Sequence, residues 1–403
     1  MKDKVKILLC NAEYPPFAGG GGIYTHLLAE GIVRVLPNSQ VIVYAGTPEE
    51  SFDGKLRKVG KGLMVFYSRK LWGLDYGKES FLEVVKEFEE ITTLFEPDII
   101  HSHHTMECLI GGIVAAKRRI PFVVTIQKAP VPDVIQLKHN PAWTAVYFCY
   151  THMPYQGVIA TSNIYKNQAL ELGAKEPIKR IYYGINLSQF KADPEKRIKT
   201  RSRLNISEKE VLILCPSRID ERKGIDVLIE SAKEFLHKHE NVKVIVAGHR
   251  NPKVEDYYNT LTYMINAYDL DSRIQLGVNE NIFDRMPELY NAADICVLPS
   301  LREGLGISII EAMSCGVPVI STQTVGVDEL VRNDETGILV PPGDPNSLSQ
   351  AVEELINNKE RRAFFANNAL NFLKDGNFDY RNMAEQHIDF YKEILLKFKN
   401  ERS

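Results

Sequence analysis

Two glutamates, Glu303 and Glu311, stand with seven residues between them inside the run Pro299-Ser-Leu-Arg-Glu-Gly-Leu-Gly-Ile-Ser-Ile-Ile-Glu-Ala-Met-Ser-Cys-Gly-Val-Pro-Val-Ile-Ser-Thr322. The run reads strand, loop, helix, strand. Pro299 stops the first strand, Gly304 and Gly306 let the loop turn, Gly316 suits the left-handed position after a helix end, and Pro318 prevents continuation. The spacing predicts a short helix over Ile307 to Ser314. Its N-terminus offers free N–H groups and a positive dipole end to an anion. Glu303 falls in the loop before the helix and Glu311 about a turn inside it, so two carboxylates border one pocket at two depths. Carboxylates accept from vicinal hydroxyls without transferring a proton, so two of them suit two sugars. A helix cap or a solvated helix residue explains either glutamate alone, but not the glycines, prolines and spacing together.

A second constellation, Ser217-Arg-Ile-Asp-Glu-Arg-Lys-Gly224, sits where the strand Val211 to Cys215 ends and a helix from Ile225 to Phe235 begins. Arg218, a planar fork, and Lys223, a point charge, can neutralise a diphosphate without a divalent metal. The plain alternative is a solvated turn of mixed charge. A third, Tyr14-Pro-Pro-Phe-Ala-Gly-Gly-Gly-Gly-Ile-Tyr-Thr-His26, turns after the first strand and opens a helix from Ile23 to Val33, with Gly21 and Gly22 at its start. A dinucleotide fold would want a third glycine where Tyr24 stands and an acidic end to the second strand, which reads Tyr44-Ala45-Gly46.

The elements that must position these residues are short β-branched runs alternating with helical patterns. Val5 to Leu9, Val41 to Tyr44, Ile99 to Ile100, Phe122 to Ile126 and Gly157 to Ala160 form one series. Val211 to Cys215, Val242 to Ala247, Ile274 to Leu276, Ile295 to Leu298, Val317 to Ser321 and Ile338 to Val340 form another. The runs are apolar with little alternation, as parallel strands covered on both faces should be. At 403 residues the chain suits two α/β domains. The polar stretch Lys191 to Arg203 reads as the linker, and Asn377 to Lys399 as a final helix. The formal net charge of -3 supplies no field for nucleic acid. Six scattered cysteines without a Cys-x-x-Cys pair read as buried thiols. The first strand is too short for a signal h-region, and no apolar run reaches membrane-spanning length, so the cytoplasm is the default compartment.

Taken together, the glycine turn at Gly21-Gly22, the segment Tyr182-Tyr-Gly-Ile-Asn186, the Ser217 to Gly224 loop and the Glu303/Glu311 pair resemble the GT-B glycosyltransferases of family 4. The resemblance spans nearly the whole chain. It implies two Rossmann-like domains facing a deep cleft: an acceptor-side domain over 1–188, completed by 378–403, and a donor domain over 189–377, with the last helix crossing back to the N-terminal domain. It implies a retaining, metal-independent transfer of a hexosyl unit from a UDP-, GDP- or ADP-linked sugar to a sugar, glycan or lipid acceptor. By position, Arg218 and Lys223 hold the diphosphate, Glu303 contacts the donor sugar, Glu311 binds the ribose hydroxyls, and Gly304, Leu305 and Gly306 supply backbone N–H groups. Many family members carry a histidine where Val123-Val-Thr-Ile-Gln127 ends in Gln127, whose amide cannot become positively charged. A phosphorylase or synthase of the same fold, or a non-catalytic sugar-nucleotide binder, would share the donor-side residues.

Other signals point less sharply. His101, His103 and His104 follow a strand, but only His101 and His103 share a face, at most two metal ligands without an obvious carboxylate. His103 is instead assigned with Gln127 to the acceptor side. Asp269-Leu-Asp271 precedes a strand and reads as a surface turn. Lys55, Arg57, Lys58, Lys61, Arg69 and Lys70, interleaved with Phe66, Tyr67, Leu71 and Trp72, read as a solvated loop or as a basic surface resting peripherally on anionic lipid. Ala142 to Tyr155, rich in aromatics, lines an acceptor cleft or packs a core.

Overall fold

The computed structural model describes residues 4–16, 19–74, 80–126, 147–149, 151–248, 255–277 and 282–401. Gln127, and residues 142–146 and 150 of the aromatic stretch Ala142 to Tyr155, lie outside the described residues; Tyr147 and Phe148 are exposed. The chain divides into two compact α/β units, Met1–Gly184 with Asp379–Ser403, and Ile185–Phe378.

The first unit is built on an eight-stranded sheet: β1 (Lys6–Asn11), β2 (Gln40–Gly46), β3 (Lys55–Gly60), β4 (Leu63–Ser68), β5 (Ile99–His103), β6 (Phe122–Ile126), β7 (Gly157–Ala160) and β8 (Ile178–Arg180). Their order is β3-β4-β2-β1-β5-β6-β7-β8, parallel except where β3 pairs with β4. From β1 the chain winds outward through β2 to β4 and then returns to place β5 on the other side of β1. The helix Tyr380–Asn400, capped by Asp379, packs on the helix Gly20–Val35 within this unit. The approach is close because Gly31 lacks a side chain; a Cβ there would stand 2.7 Å from Ala384 Cβ.

The basic segment Lys55 to Trp72 is not a loop: it forms β3, β4 and the short helix Arg69–Trp72. β3 is an edge strand paired antiparallel with β4, with Lys55 and Lys58 exposed. Lysines on an outermost strand discourage a further strand from adding there. β3 reads poorly in the sequence because Leu56 and Val59 stay about half exposed, so no buried face imposes an alternation.

The second unit holds a six-stranded parallel sheet of β9 (Val211–Cys215), β10 (Val242–Val246), β11 (Ile274–Leu276), β12 (Ile295–Leu298), β13 (Val319–Thr322) and β14 (Gly337–Val340), ordered β11-β10-β9-β12-β13-β14. Its core joins Ile213, Val244 and Val297 of the sheet to Leu228, Ile229 and Phe235 of the helix Ile225–Lys238. After β9 the chain moves outward to β10 and β11, then crosses to β12 on the other side of β9. The ends of β9 and β12 therefore form a topological switch point, where open α/β sheets bind ligands.

The stretch Lys191 to Arg203, expected as a linker, contains a helix, Pro194–Arg203, started by the Asp193 cap and Pro194. It docks on the second unit through arginines and not through an apolar face. The Arg201 guanidinium, 1% exposed, donates to Ala292 O at 2.9 Å and to Asp294 Oδ2 at 3.0 Å, and Arg197 reaches Asp294 Oδ1 at 2.8 Å. Asp269-Leu-Asp271 is a turn, with Asp269 at φ 56°.

Candidate functional site

The two loops expected on the donor side leave the carboxyl ends of the adjacent strands β9 and β12. The first passes through the short 3-10 turn Glu221–Lys223, started by Asp220 accepting from Arg222 N, and ends at Gly224 with φ 61°. The second runs from Pro299 to Gly306, whose φ of 81° opens the helix Ile307–Ser314. The loops are joined by main chain: Leu301 N donates to Arg222 O at 2.8 Å. A Cβ on Gly224 would stand 2.1 Å from Pro299 O, so glycine is required where the loops cross.

Lys223 and Glu303, each expected to face a ligand, meet one another: Lys223 Nζ donates to Glu303 Oε2. Glu303 Oε2 also accepts from Ser300 Oγ at 2.9 Å, and Oε1 from Gly304 N at 3.2 Å. Burial alone pushes the Glu303 carboxyl up, but the Lys223 charge and these hydrogen bonds outweigh it and hold the group below its ordinary value. Glu303 is thus an anion at neutral pH. Arg218, on the same loop as Lys223, is exposed.

Leu305 is buried and pins the second loop, so only its main chain can serve a ligand. The helix Ile307–Ser314 has no side-chain cap and no acidic residue in its first turn, which leaves its first N–H groups to an anion. Glu311, one turn in, accepts from the Tyr290 hydroxyl through Oε2 at 2.8 Å. Burial drives the Glu311 carboxyl up to about 7, and the Tyr290 hydrogen bond opposes that rise. The two glutamates of one run therefore sit in opposite electrostatic settings, one beside a cation and one beside a neutral phenol.

Gly21 and Gly22 lie in the first unit, inside the helix Gly20–Val35, which starts three residues before the expected Ile23. The early start is held by Ile23 N donating to Gly19 O at 3.0 Å, while Asn11 Nδ2 donates to Gly21 O at 3.1 Å. Three glycines conceal a helix start from a propensity reading.

His103 ends β5, beside β1, and is fully buried. Its ring lies 4.4 Å from that of His101 and 5.5 Å, edge to face, from Tyr24. His101 Nδ1 meets Tyr391 OH at 2.6 Å and its Nε2 meets Thr125 Oγ1 at 2.5 Å. His387 Nδ1 lies 2.7 Å from Met383 O and must donate to it, so its Nε2 accepts from Tyr24 OH at 2.7 Å. Burial holds His101 and His103 well below the usual histidine range and His387 down to about 4, so all three are neutral. Sequence reading missed Tyr24, Tyr290, His387 and Tyr391 as polar partners. Nothing local marks them, since each partner is far away in the chain.

Two α/β units with largely parallel sheets, the second carrying Lys223, Glu303 and Glu311 beside its switch point, define a two-domain Rossmann-like architecture. The family described as Glycosyltransferase Family 4 matches residues 18–189, and that described as Glycosyl transferases group 1 matches residues 196–372. The chain belongs to the GT-B glycosyltransferases of family 4 and is a glycosyltransferase. It is 27% identical to an uncharacterized glycosyltransferase of Methanocaldococcus jannaschii over 96% of this chain and 98% of that one. It is 22% identical to the D-inositol 3-phosphate glycosyltransferase of Salinispora tropica over 80% and 70% of the respective chains. In fold it resembles sucrose-phosphate synthase from Thermosynechococcus elongatus, with TM-score 0.85, 21% identity and coverage of 98% and 100%. It also resembles Anabaena HepE in complex with UDP and glucose, with TM-score 0.78, 22% identity and coverage of 96% and 100%. Among the described residues no helix is long and apolar enough to cross a membrane.

Proposed function

We propose that this chain is a retaining hexosyltransferase that uses a nucleotide-diphosphate sugar and needs no metal. The observation that carries the reading is the Lys223–Glu303 pair at the ends of β9 and β12, beside the uncapped helix Ile307–Ser314, which carries Glu311 one turn in. An ammonium has three donors, so Lys223 can keep Glu303 and still donate to a phosphate oxygen. With Arg218 and the N–H groups of Gly304, Leu305 and Gly306, it balances the charge that develops on a departing diphosphate. Glu303, held anionic, accepts from hydroxyls of the transferred sugar. Glu311, deeper, accepts from the ribose. The solved complexes of HepE with UDP and with UDP-glucose support a donor of this class.

In this reading the leaving phosphate oxygen takes the acceptor's proton on the face it vacates, which retains anomeric configuration and needs no enzymic nucleophile. Gly21 and Gly22 are assigned to the donor, and His103 and Gln127 to a sugar, glycan or lipid acceptor. A thermal-shift screen against UDP-, GDP- and ADP-sugars tests the donor class, because a ligand that binds only the native state raises its apparent stability. One of the three should raise the melting temperature, and hydrolysis or transfer of that donor should survive a chelator. No shift with any of them sinks the donor assignment, and loss of turnover on chelation sinks the metal-free step.

A further inference from the structure

Glu311 is one of two partners in a buried contact. The other, Tyr290, is fully buried on the helix Ile282–Ala292, with its ring edge-on to Phe190 at 6.0 Å. The next residue, Asn291, locks that helix in place. Its Oδ1 accepts from Asp193 N at 2.7 Å, and its Nδ2 donates to Lys191 O at 3.0 Å and to Pro287 O at 2.8 Å. The Tyr290 hydroxyl therefore arrives at Glu311 from a fixed direction. Burial raises the phenol well above its usual range, so it stays protonated and donates to the ionised carboxylate.

We propose that Tyr290 is the positioning residue for Glu311: by donating to Oε2 it turns Oε1 toward a ribose diol and makes the pair select ribonucleotides over 2′-deoxyribonucleotides. This rests on the reading of Glu311 as the ribose acceptor. A carboxylate free to rotate about its last torsion would share its oxygens among several orientations, and one tethered oxygen removes that freedom before the ligand arrives. The hydrogen bond also favours the ionised carboxylate, the form that can accept from both hydroxyls. The other titratable groups facing Glu311 are the Cys296 thiol on β12 and the Cys315 thiol at the end of its own helix. Both thiols are pushed up by burial, Cys315 to about 12, and stay neutral. Lys196 faces Cys315 from the helix Pro194–Arg203.

The test is calorimetric titration of wild type, Y290F and E311Q with UDP, GDP or ADP, whichever raises the melting temperature most, and with its 2′-deoxy analogue, from pH 6 to 9. Y290F removes one oxygen atom, and its fold is checked by circular dichroism. Wild type should prefer the ribonucleotide by about tenfold or more, the scale of one hydrogen bond to a charged group. Its ribonucleotide affinity should rise with pH through the Glu311 titration. Y290F should lose most of that preference by weakening ribonucleotide binding only, and its affinity midpoint should move to higher pH. E311Q should abolish the preference and flatten the profile. A Y290F protein that keeps both the preference and the wild-type midpoint overturns the role of Tyr290. A wild type that shows no preference, with E311Q unchanged, overturns the ribose reading of Glu311 instead.

Discussion

Lys223 and Glu303, eighty positions apart in the chain, are joined by a charged hydrogen bond that fastens the loop after β9 to the loop after β12. Both side chains are less than one-fifth exposed, so neither charge is fully hydrated without the other. Removing the cation alone leaves the Glu303 carboxylate desolvated with only Ser300 and Gly304 as donors. K223A should cost about 2 kcal/mol or more of stability, below the 3–5 kcal/mol of a fully buried pair. A double-mutant cycle with E303Q, read by urea unfolding, should return a coupling of about 1–3 kcal/mol, the range for residues in direct contact. Both single variants should also weaken nucleotide-sugar binding in the same titrations.

Glu311 makes the opposite contribution. Its folded-state pKa of about 7 is above the ordinary carboxyl value of 4.5, so its stabilising share is complete below about pH 4.5 and is lost as pH rises through 7. The rise from 4.5 to about 7 sets an upper bound of about 3 kcal/mol on that loss. E311Q keeps an acceptor for Tyr290 but cannot ionise. Thermal melts without ligand should show E311Q more stable than wild type at pH 8, with the gain shrinking toward zero at pH 5. An equal gain at both pH values would show that packing, and not ionisation, separates the two proteins.

The buried histidines of the first unit set an acid limit. His387 is neutral in the folded state because burial lowers it from 6.5 to about 4. Its share of stability is complete above about pH 6.5, where the unfolded chain is also neutral, and is lost as pH falls through 4. The fall from 6.5 to about 4 corresponds to about 3 kcal/mol for a group with no exposure. Tyr24 and Met383 both hydrogen-bond this ring, so H387F should lose stability at pH 7 by leaving them without that partner. Between pH 7 and 4.5, however, H387F should fall less steeply than wild type. Urea midpoints across that range read the two slopes directly.

Strands covered on both faces were legible from the sequence. Phe122–Ile126, Val211–Cys215 and Ile295–Leu298 lie where their apolar runs predict. The helix Ile307–Ser314 was also legible, because Gly306 and the Gly316-Val-Pro318 stop punctuate it chemically. Elements with no buried stripe were not. β3 is exposed, β8 is three residues long, and Pro194–Arg203 is held by arginine hydrogen bonds in place of apolar contacts. Loop position marked Lys223, Glu303 and Glu311 individually as site residues. That Lys223 binds Glu303 depends on the β9–β12 adjacency created by the crossover from β11, and that Tyr290 tethers Glu311 depends on the packing of the two helices that flank β12; nothing near these residues encodes either.

Gly224 and Gly277 allow a controlled test of how tightly the loops after β9 and β12 must cross. Both adopt positive φ, 61° and 73°, so an alanine at either pays the left-handed backbone penalty of about 1–2 kcal/mol. Their surroundings differ. A Cβ at Gly277 meets nothing within 4 Å, whereas one at Gly224 lands 2.1 Å from the main-chain oxygen of Pro299. Main chain cannot swing aside as a flexible side chain would, so G224A must push the Pro299 loop away from the Lys223 turn and stretch the Leu301–Arg222 hydrogen bond. G277A should therefore lose only the backbone term and keep its nucleotide affinity. G224A should lose more stability than G277A by about 1–3 kcal/mol, the cost of forcing extra volume into a packed site. It should also lose affinity for the nucleotide diphosphate, because Lys223 and the N–H groups after Glu303 no longer converge. Unfolding and calorimetric titration of the two variants side by side separate these terms. Equal losses in both would mean that the loops tolerate separation and that their crossing does not build the site.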